Sequence, residues 1–227
     1  MAIKDKRRQK KLERRNAKRK QRQRTIARQR SRGLGERLMS ASSAPILDSL
    51  ITEDFWEDGL GQAIFSRQLP SGEVAVAAFL IDRYCLGVKD TFGGIRSQAE
   101  YRGFLEYCEE DVDYVELPPA DLCCLITEVV EYARDLGLEP PSDLRRVMPI
   151  FGDLDPSDAT EHFELGYNGK PLFVAEPNED LERCYRILSI LEERCGKCGF
   201  SYILPGLNGS AVRIGGFPDA ARIARII

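Results

Sequence analysis

The residues with the most pronounced chemistry open the chain. Lys4, Lys6, Arg7, Arg8, Lys10, Lys11, Arg14, Arg15, Lys18, Arg19, Lys20, Arg22, Arg24, Arg28, Arg30 and Arg32 form a nearly unbroken basic run. Cations at this density neutralise phosphates and release condensed counterions, the electrostatic basis of nucleic-acid binding. Guanidinium groups add bidentate contacts to phosphate. No aromatic residue lies within residues 1–37, so base stacking by the run is not expected and sequence readout is weak. Arginine-rich segments of this kind bind structured RNA and fold upon it. RNA, and foremost the ribosome, is therefore the expected partner. The competing readings are a solubilising tail, a localisation signal, or an arm folded onto its own acidic body.

A second set of candidates could do thiol or metal chemistry. Cys195-Gly196-Lys197-Cys198 has Cys-x-x-Cys spacing. A structural zinc needs four ligands, and the fold would have to bring Cys184 and His162 to complete the set. As a redox pair the two thiols follow a predicted helix C-terminus, where the dipole disfavours thiolate. Cys85 would need a base, and His162 is the single histidine. Cys123-Cys124 reads as helix packing. Lys89-Asp90 reads as a solvated pair. The seven cysteines are odd in number and read as reduced thiols of a cytosol-like compartment. Carboxylates cluster at Glu53-Asp54 with Glu57-Asp58, at Glu109-Glu110-Asp111, and at Asp153, Asp155 and Asp158. They lack EF-hand spacing and read as solvated loops. Trp56 with Phe55, beside acids, reads either as a docking patch or as core. No cofactor motif is present. Gly93-Gly94 and Gly215-Gly216 carry neither of the phosphate-loop patterns.

Charge divides the 227-residue chain in two. Residues 1–37 hold 17 Lys and Arg against three acids, a net of +14, and the remainder holds 16 against 33, a net of −17. A basic arm on an acidic body follows. Apolar residues at 43% suit a globular body. The longest apolar run, Val74 to Ile81, is too short to span a bilayer, which needs about 20 residues. No apolar stretch follows the N-terminal charges, so a secretory signal is not expected. The expected location is cytoplasmic.

The elements that must position these groups follow from periodicity. Like charges at i, i+4 oppose helix formation in residues 4–32 until phosphates screen them. A helix over them would reach roughly 40 Å. Ser40 to Pro45 reads as a linker. Residues 46–51 are expected to form a short helix. Residues 61–69 and 73–81 flank Pro70-Ser71-Gly72 and predict a β-hairpin. Its second strand does not alternate, so both of its faces must be covered. Ser97-x-x-Glu100 is a capping box opening a helix with Tyr101, Phe104, Leu105 and Cys108 on one face. A second helix spans about 119–136, ending at Gly137. A third spans about 179–195 with Asn178 as N-cap. Asn168-Gly169 predicts a hairpin of strands 162–167 and 170–175, with Pro171 marking an edge. The stretch after Gly196 reads as irregular, with a short helix at Ile223–Ile227. No βαβ alternation is expected.

The stretch Ala78-Phe79-Leu80-Ile81-Asp82-x-Tyr84-Cys85-Leu86-Gly87-Val88-Lys89-Asp90, with Glu131-Tyr132-Ala133 and Phe163-Glu164-Leu165-Gly166, resembles a family of uncharacterised bacterial proteins with a "FLVDxYCLGVKD" segment. The resemblance covers roughly residues 55–190. It implies a bacterial intracellular protein and no particular activity. Relatives carry histidines near the positions of Cys123 and Pro141, which this chain lacks.

Together these readings predict an α+β protein in which β-hairpins pack with about three amphipathic helices. Residues 1–40 would be the arm, 41–45 a linker and 46–227 one globular body. The expected function is non-enzymatic binding of RNA or the ribosome through the arm, with the body engaging a protein partner, no membrane contact and no cofactor. The alternatives are a thiol- or metal-dependent enzyme or regulator using Cys85, His162, Cys195 and Cys198, and a protein-interaction adaptor.

Overall fold

The computed structural model describes residues 33–176, 179–205 and 211–214. Helix α1 (33–41) leads into strand β1 (Ile46–Thr52). A single turn, α2 (Phe55–Asp58), then precedes β2 (Leu60–Gln68), β3 (Val74–Asp82) and β4 (Gly87–Arg96). Helix α3 (Gln98–Cys108), the short strand β5 (Tyr114–Glu116) and helix α4 (Pro119–Asp135) follow. The five strands form one antiparallel sheet in the order β4-β3-β2-β1-β5. With its flanking helices, the chain is α+β.

The sheet is covered on both faces, which explains the non-alternating third strand. Ala75, Ala77, Phe79 and Ile81 face the larger core, where Leu122, Leu125, Ile126 and Val129 of α4 meet them. Val74, Val76 and Ala78 face Tyr101, Phe104 and Leu105 of α3. Both faces being apolar, every residue of β3 but Leu80 is buried. The expected capping box opens α3: Ser97 Oγ accepts from Glu100 N–H, and Glu100 Oε2 accepts from Ser97 N–H at 2.9 Å.

One buried cation fixes what lies over the large core. Arg67 of β2 is almost fully buried, and its guanidinium donates to three carbonyls. Nε reaches Ile150 O at 2.7 Å, and the two terminal nitrogens reach Ala44 O at 2.5 Å and Phe151 O at 2.8 Å. These carbonyls belong to the turn after α1 and to a 3₁₀ turn, Met148–Phe151, that continues helix α5 (Leu144–Val147). The two segments touch: a Cβ on Gly152 would lie 2.5 Å from Ser42 O. Burial lowers the Arg67 pKa, and the charge of Asp153 offsets part of this.

A second, smaller sheet closes the other end of α4. Strand β6 (Leu172–Val174) runs parallel to β7 (Ser201–Pro205), with helix α6 (Leu181–Cys195) between them, and β8 (Ala211–Ile214) pairs antiparallel to β7. Phe173, Cys184, Ile187 and Leu191 build this core against Cys85, Ala133 and Leu136. Gly87, in the turn between β3 and β4, sits at φ 66°, and a Cβ there would lie 2.5 Å from Val129 O. Glycine at this point lets α4 approach the turn.

Several expectations are corrected. Residues 46–51 are a strand, because pairing with both β2 and β5 overrides local preference. The 41–45 linker is a turn packed into the body, and Leu38 and Ala41 belong to the core. The body therefore begins before residue 46. Residues 162–167 do not pair as a strand beyond one bridge, Tyr167–Lys170. They lie along the β3–β4 turn, with Gly166 N donating to Arg83 O at 2.9 Å and Arg83 donating to Glu164 O. Strand β6 pairs instead with β7, making a βαβ unit where none was expected. Helix α6 starts later than predicted, capped by Asp180, whose side chain accepts from Glu182 N–H. Asn178 and the Ile223–Ile227 segment lie outside the described residues.

Arg67→Lys and Arg67→Met are each expected to lower unfolding stability by on the order of 3 kcal/mol, because neither side chain can satisfy three separated carbonyls. Denaturant unfolding at neutral pH checks this. A loss under about 0.5 kcal/mol, the ordinary range for surface changes, would contradict it.

Candidate functional site

The sixteen arm cations lie outside the described residues. What the structure describes is their attachment. Leu38 of α1 is fully buried and Leu34 packs against the same core, while Arg37 and Met39 face solvent. The chain thus enters the body through an anchored helix. Gly35 lies against the backbone of Arg146 in α5, where a Cβ would sit 3.6 Å from Arg146 O. Gly93 of β4 allows the same approach from below: a Cβ there would lie 2.6 Å from Val147 Cγ1.

The thiol and histidine candidates are not assembled. Cys85 sits fully buried in the β3–β4 turn. Burial pushes its thiol pKa up, and the nearby Asp82 and Cys195 add to the rise. A thiol held protonated and sealed from solvent is a poor nucleophile. His162 is exposed on the 162–167 segment, so the two do not form a nucleophile–base pair. Cys195 ends α6 and packs against the smaller core, whereas Cys198 is exposed. All seven cysteines are free. Among the described residues no group of three or more His, Cys, Asp or Glu side chains is placed to hold a metal ion. Cys123 and Cys124 are buried on α4, and burial raises both thiols.

The carboxylates divide by environment. Asp82, like Asp121, is buried. Its Oδ1 accepts from Tyr84 N at 2.9 Å and Cys85 N at 3.1 Å, folding the turn back on itself. Burial raises its pKa to about 6, against the opposing pull of Lys89 and the turn N–H groups. Lys89 is not solvated as expected. Its side chain is 8% exposed, and Nζ lies 2.7 Å from Glu176 Oε1, joining β4 to the segment after β6. Asp58 is raised more modestly, by burial first and then by Asp54 and Glu57. Trp56 stacks on Phe163 with ring centres 5.4 Å apart and lies edge-on to the buried Phe55. Arg83 donates to its carbonyl. These contacts make Trp56 part of the framework.

Sequence reasoning missed a groove between α4 and residues 140–149, of about 720 Å³. Val130, Leu144 and Met148 form its apolar floor, and Pro140, Pro141 and Pro149 shape its wall. Arg134 and Glu131 project from α4 and Arg145 from α5. Among the described residues none of these three side chains forms an ion pair. Nothing in the spacing of these prolines predicted that they would face α4.

No family model, no curated protein and no solved structure matches the chain. The segment Phe79–Asp90 therefore supports no family assignment. Its residues have structural duties here: Phe79 and Ile81 in the core, Asp82 in the turn, and Gly87 under α4. Among the described residues no helix is long and apolar enough to cross a membrane.

The raised pKa of Asp82 has a sign. The folded protein binds this proton more tightly than an unfolded aspartate does, so Asp82 costs stability as pH rises from about 4 through about 6. Asp82→Asn keeps an oxygen acceptor without the charge. Its stability relative to the parent chain is expected to improve by on the order of 2–3 kcal/mol between about pH 4 and about pH 8. Denaturant unfolding at the two pH values measures this. A difference that does not change with pH would contradict it.

Proposed function

We propose that the protein is a non-enzymatic, nucleic-acid-associated protein that holds RNA, with the ribosome the foremost source, through its basic arm. The observation that carries this reading is the charge division: +14 in residues 1–37 against −17 in the rest. Sixteen of the arm's cations would meet phosphates with little sequence preference. The acidic body, with Glu106, Glu109, Glu110, Asp111 and Asp113 around the end of α3, repels phosphate from that side and leaves it for a protein partner. Two further observations support a binding role over a catalytic one. Cys85 is sealed and protonated, and His162 stands exposed and apart from it. The arm joins the body through a helix anchored in the core, which ties whatever the arm grips to the body.

The test is RNA binding across a salt series by the full chain and by a chain lacking residues 1–32. The truncation must retain α1, because Leu38 and Ala41 are core residues. With about eight cations on single-stranded RNA, the log–log slope of affinity against salt is expected near −6. Loss of the arm should abolish the steep dependence. A flat slope, or equal binding by both chains, would overturn the reading.

A further inference from the structure

We propose that the groove between α4 and residues 140–149 is a second contact for the same RNA. It receives one nucleotide, with Arg134 and Arg145 on the phosphate and the apolar floor under the attached sugar and base. The inference rests on the arm reading above and extends it to the body.

Four observations lead to it. Arg134 and Arg145 edge one concave site and have no acidic partner, on a body that carries twice as many acids as bases. Elsewhere among the described residues, Arg183, Lys197 and Arg146 sit in ion pairs, and the exposed Arg37, Arg102, Arg186 and Arg194 form none but do not line this groove. Two unpaired guanidiniums converging on one site can grip a phosphate from two directions.

The floor is uncharged and apolar. Val130 and Leu144 are buried, and Met148 is half-buried. The volume, about 720 Å³, lies in the range of sites that enclose organic ligands rather than bare ions. An inorganic anion would leave most of it unused.

Glu131 stands one helical turn before Arg134 and faces the same groove. A carboxylate there repels a second phosphate but accepts hydrogen bonds from a ribose 2′-hydroxyl or an exocyclic amine. The site is thus built for one phosphate with a donor-bearing body attached.

The location connects the groove to the arm. Helix α5 serves both: Arg145 faces the groove, and the backbone of the next residue, Arg146, carries Gly35 of α1. Residues 4–32 join the body at α1, so an RNA they hold is brought to α5, which carries Arg145. From there α4 leads it to Arg134.

The experiment uses the full chain and a fluorescein-labelled single-stranded RNA, with anisotropy read across a salt series. Three proteins are compared: the parent, Arg134→Gln/Arg145→Gln, and Arg102→Gln on α3 as a control. All three positions are exposed, and thermal unfolding verifies that each variant is folded. The double variant is expected to bind three- to tenfold more weakly, with a salt slope shallower by about 0.7 for the one phosphate no longer neutralised. The control should leave both unchanged. Equal affinity and slope in parent and double variant would overturn the groove assignment, and would leave the arm reading standing if removal of residues 1–32 still abolishes binding. Conversely, RNA binding undiminished by removal of the arm overturns the arm reading. Adenosine monophosphate titrated into the full chain separates a free nucleotide from RNA. Saturable binding that the double variant loses, with RNA affinity unaltered, would overturn the assignment to RNA.

Discussion

The arrangement over the large core depends on one buried guanidinium. Arg67 has no carboxylate in contact; it is held by three backbone carbonyls and by the ring of Phe65, 5.4 Å away. Removing a charge from water is costly, and hydrogen bonds from every face of the fork offset that cost. The three acceptors come from segments about a hundred residues apart in sequence, the turn at residue 44 and the 3₁₀ turn at residues 150–151. Satisfying Arg67 therefore requires that α1 and α5 lie side by side over the sheet. That contact anchors the root of the basic arm, and it places Arg145 at the mouth of the groove.

The same economy governs the other reactive groups of the body. Asp82 accepts two N–H groups of its own turn, Asp121 receives Thr160 and Glu161 N–H, and Asp48 receives Ser66 and Tyr101 hydroxyls. Each carboxylate is occupied in holding a turn or a strand pair. Burial raises the thiols of Cys85, Cys123, Cys124 and Cys184, which lie in cores. These buried groups are spent on architecture, whereas Arg134 and Arg145 stand exposed at the groove with no ion pair among the described residues.

Much of the architecture was legible in local signals. The Pro70-Ser71-Gly72 turn, the Ser97–Glu100 capping box and the periodic faces of α3, α4 and α6 act within a few residues, and each appears close to where it was expected. The uninterrupted apolar run of β3 announced a strand covered on both faces. What was illegible depended on distant partners. Residues 46–51 have mixed local preference, and two neighbouring strands make them β1. Asn168-Gly169 makes its turn, with Asn168 at φ 51°, but Arg83 claims the carbonyl of Glu164 on the strand that was to lead into it. The pairing of β6 with β7 crosses a whole helix and leaves no periodic trace in three residues. Of the candidate site, the cations of the arm stood out by composition alone. Arg134 and Arg145, eleven residues apart among prolines, gave no sign that they would face one groove, because the fold brings them together.

The proposed function is a division of labour in which the N-terminal cations and the groove would hold RNA while the acidic faces would not. The most direct measurement is ultraviolet crosslinking of the full chain to single-stranded RNA, with the crosslinked peptides mapped by mass spectrometry. The account predicts crosslinks in residues 1–32 and in the segments bearing Arg134 and Arg145, and none on the acidic surface at residues 106–116. Crosslinks confined to that acidic surface, or a complete lack of them under low-salt conditions, would contradict it.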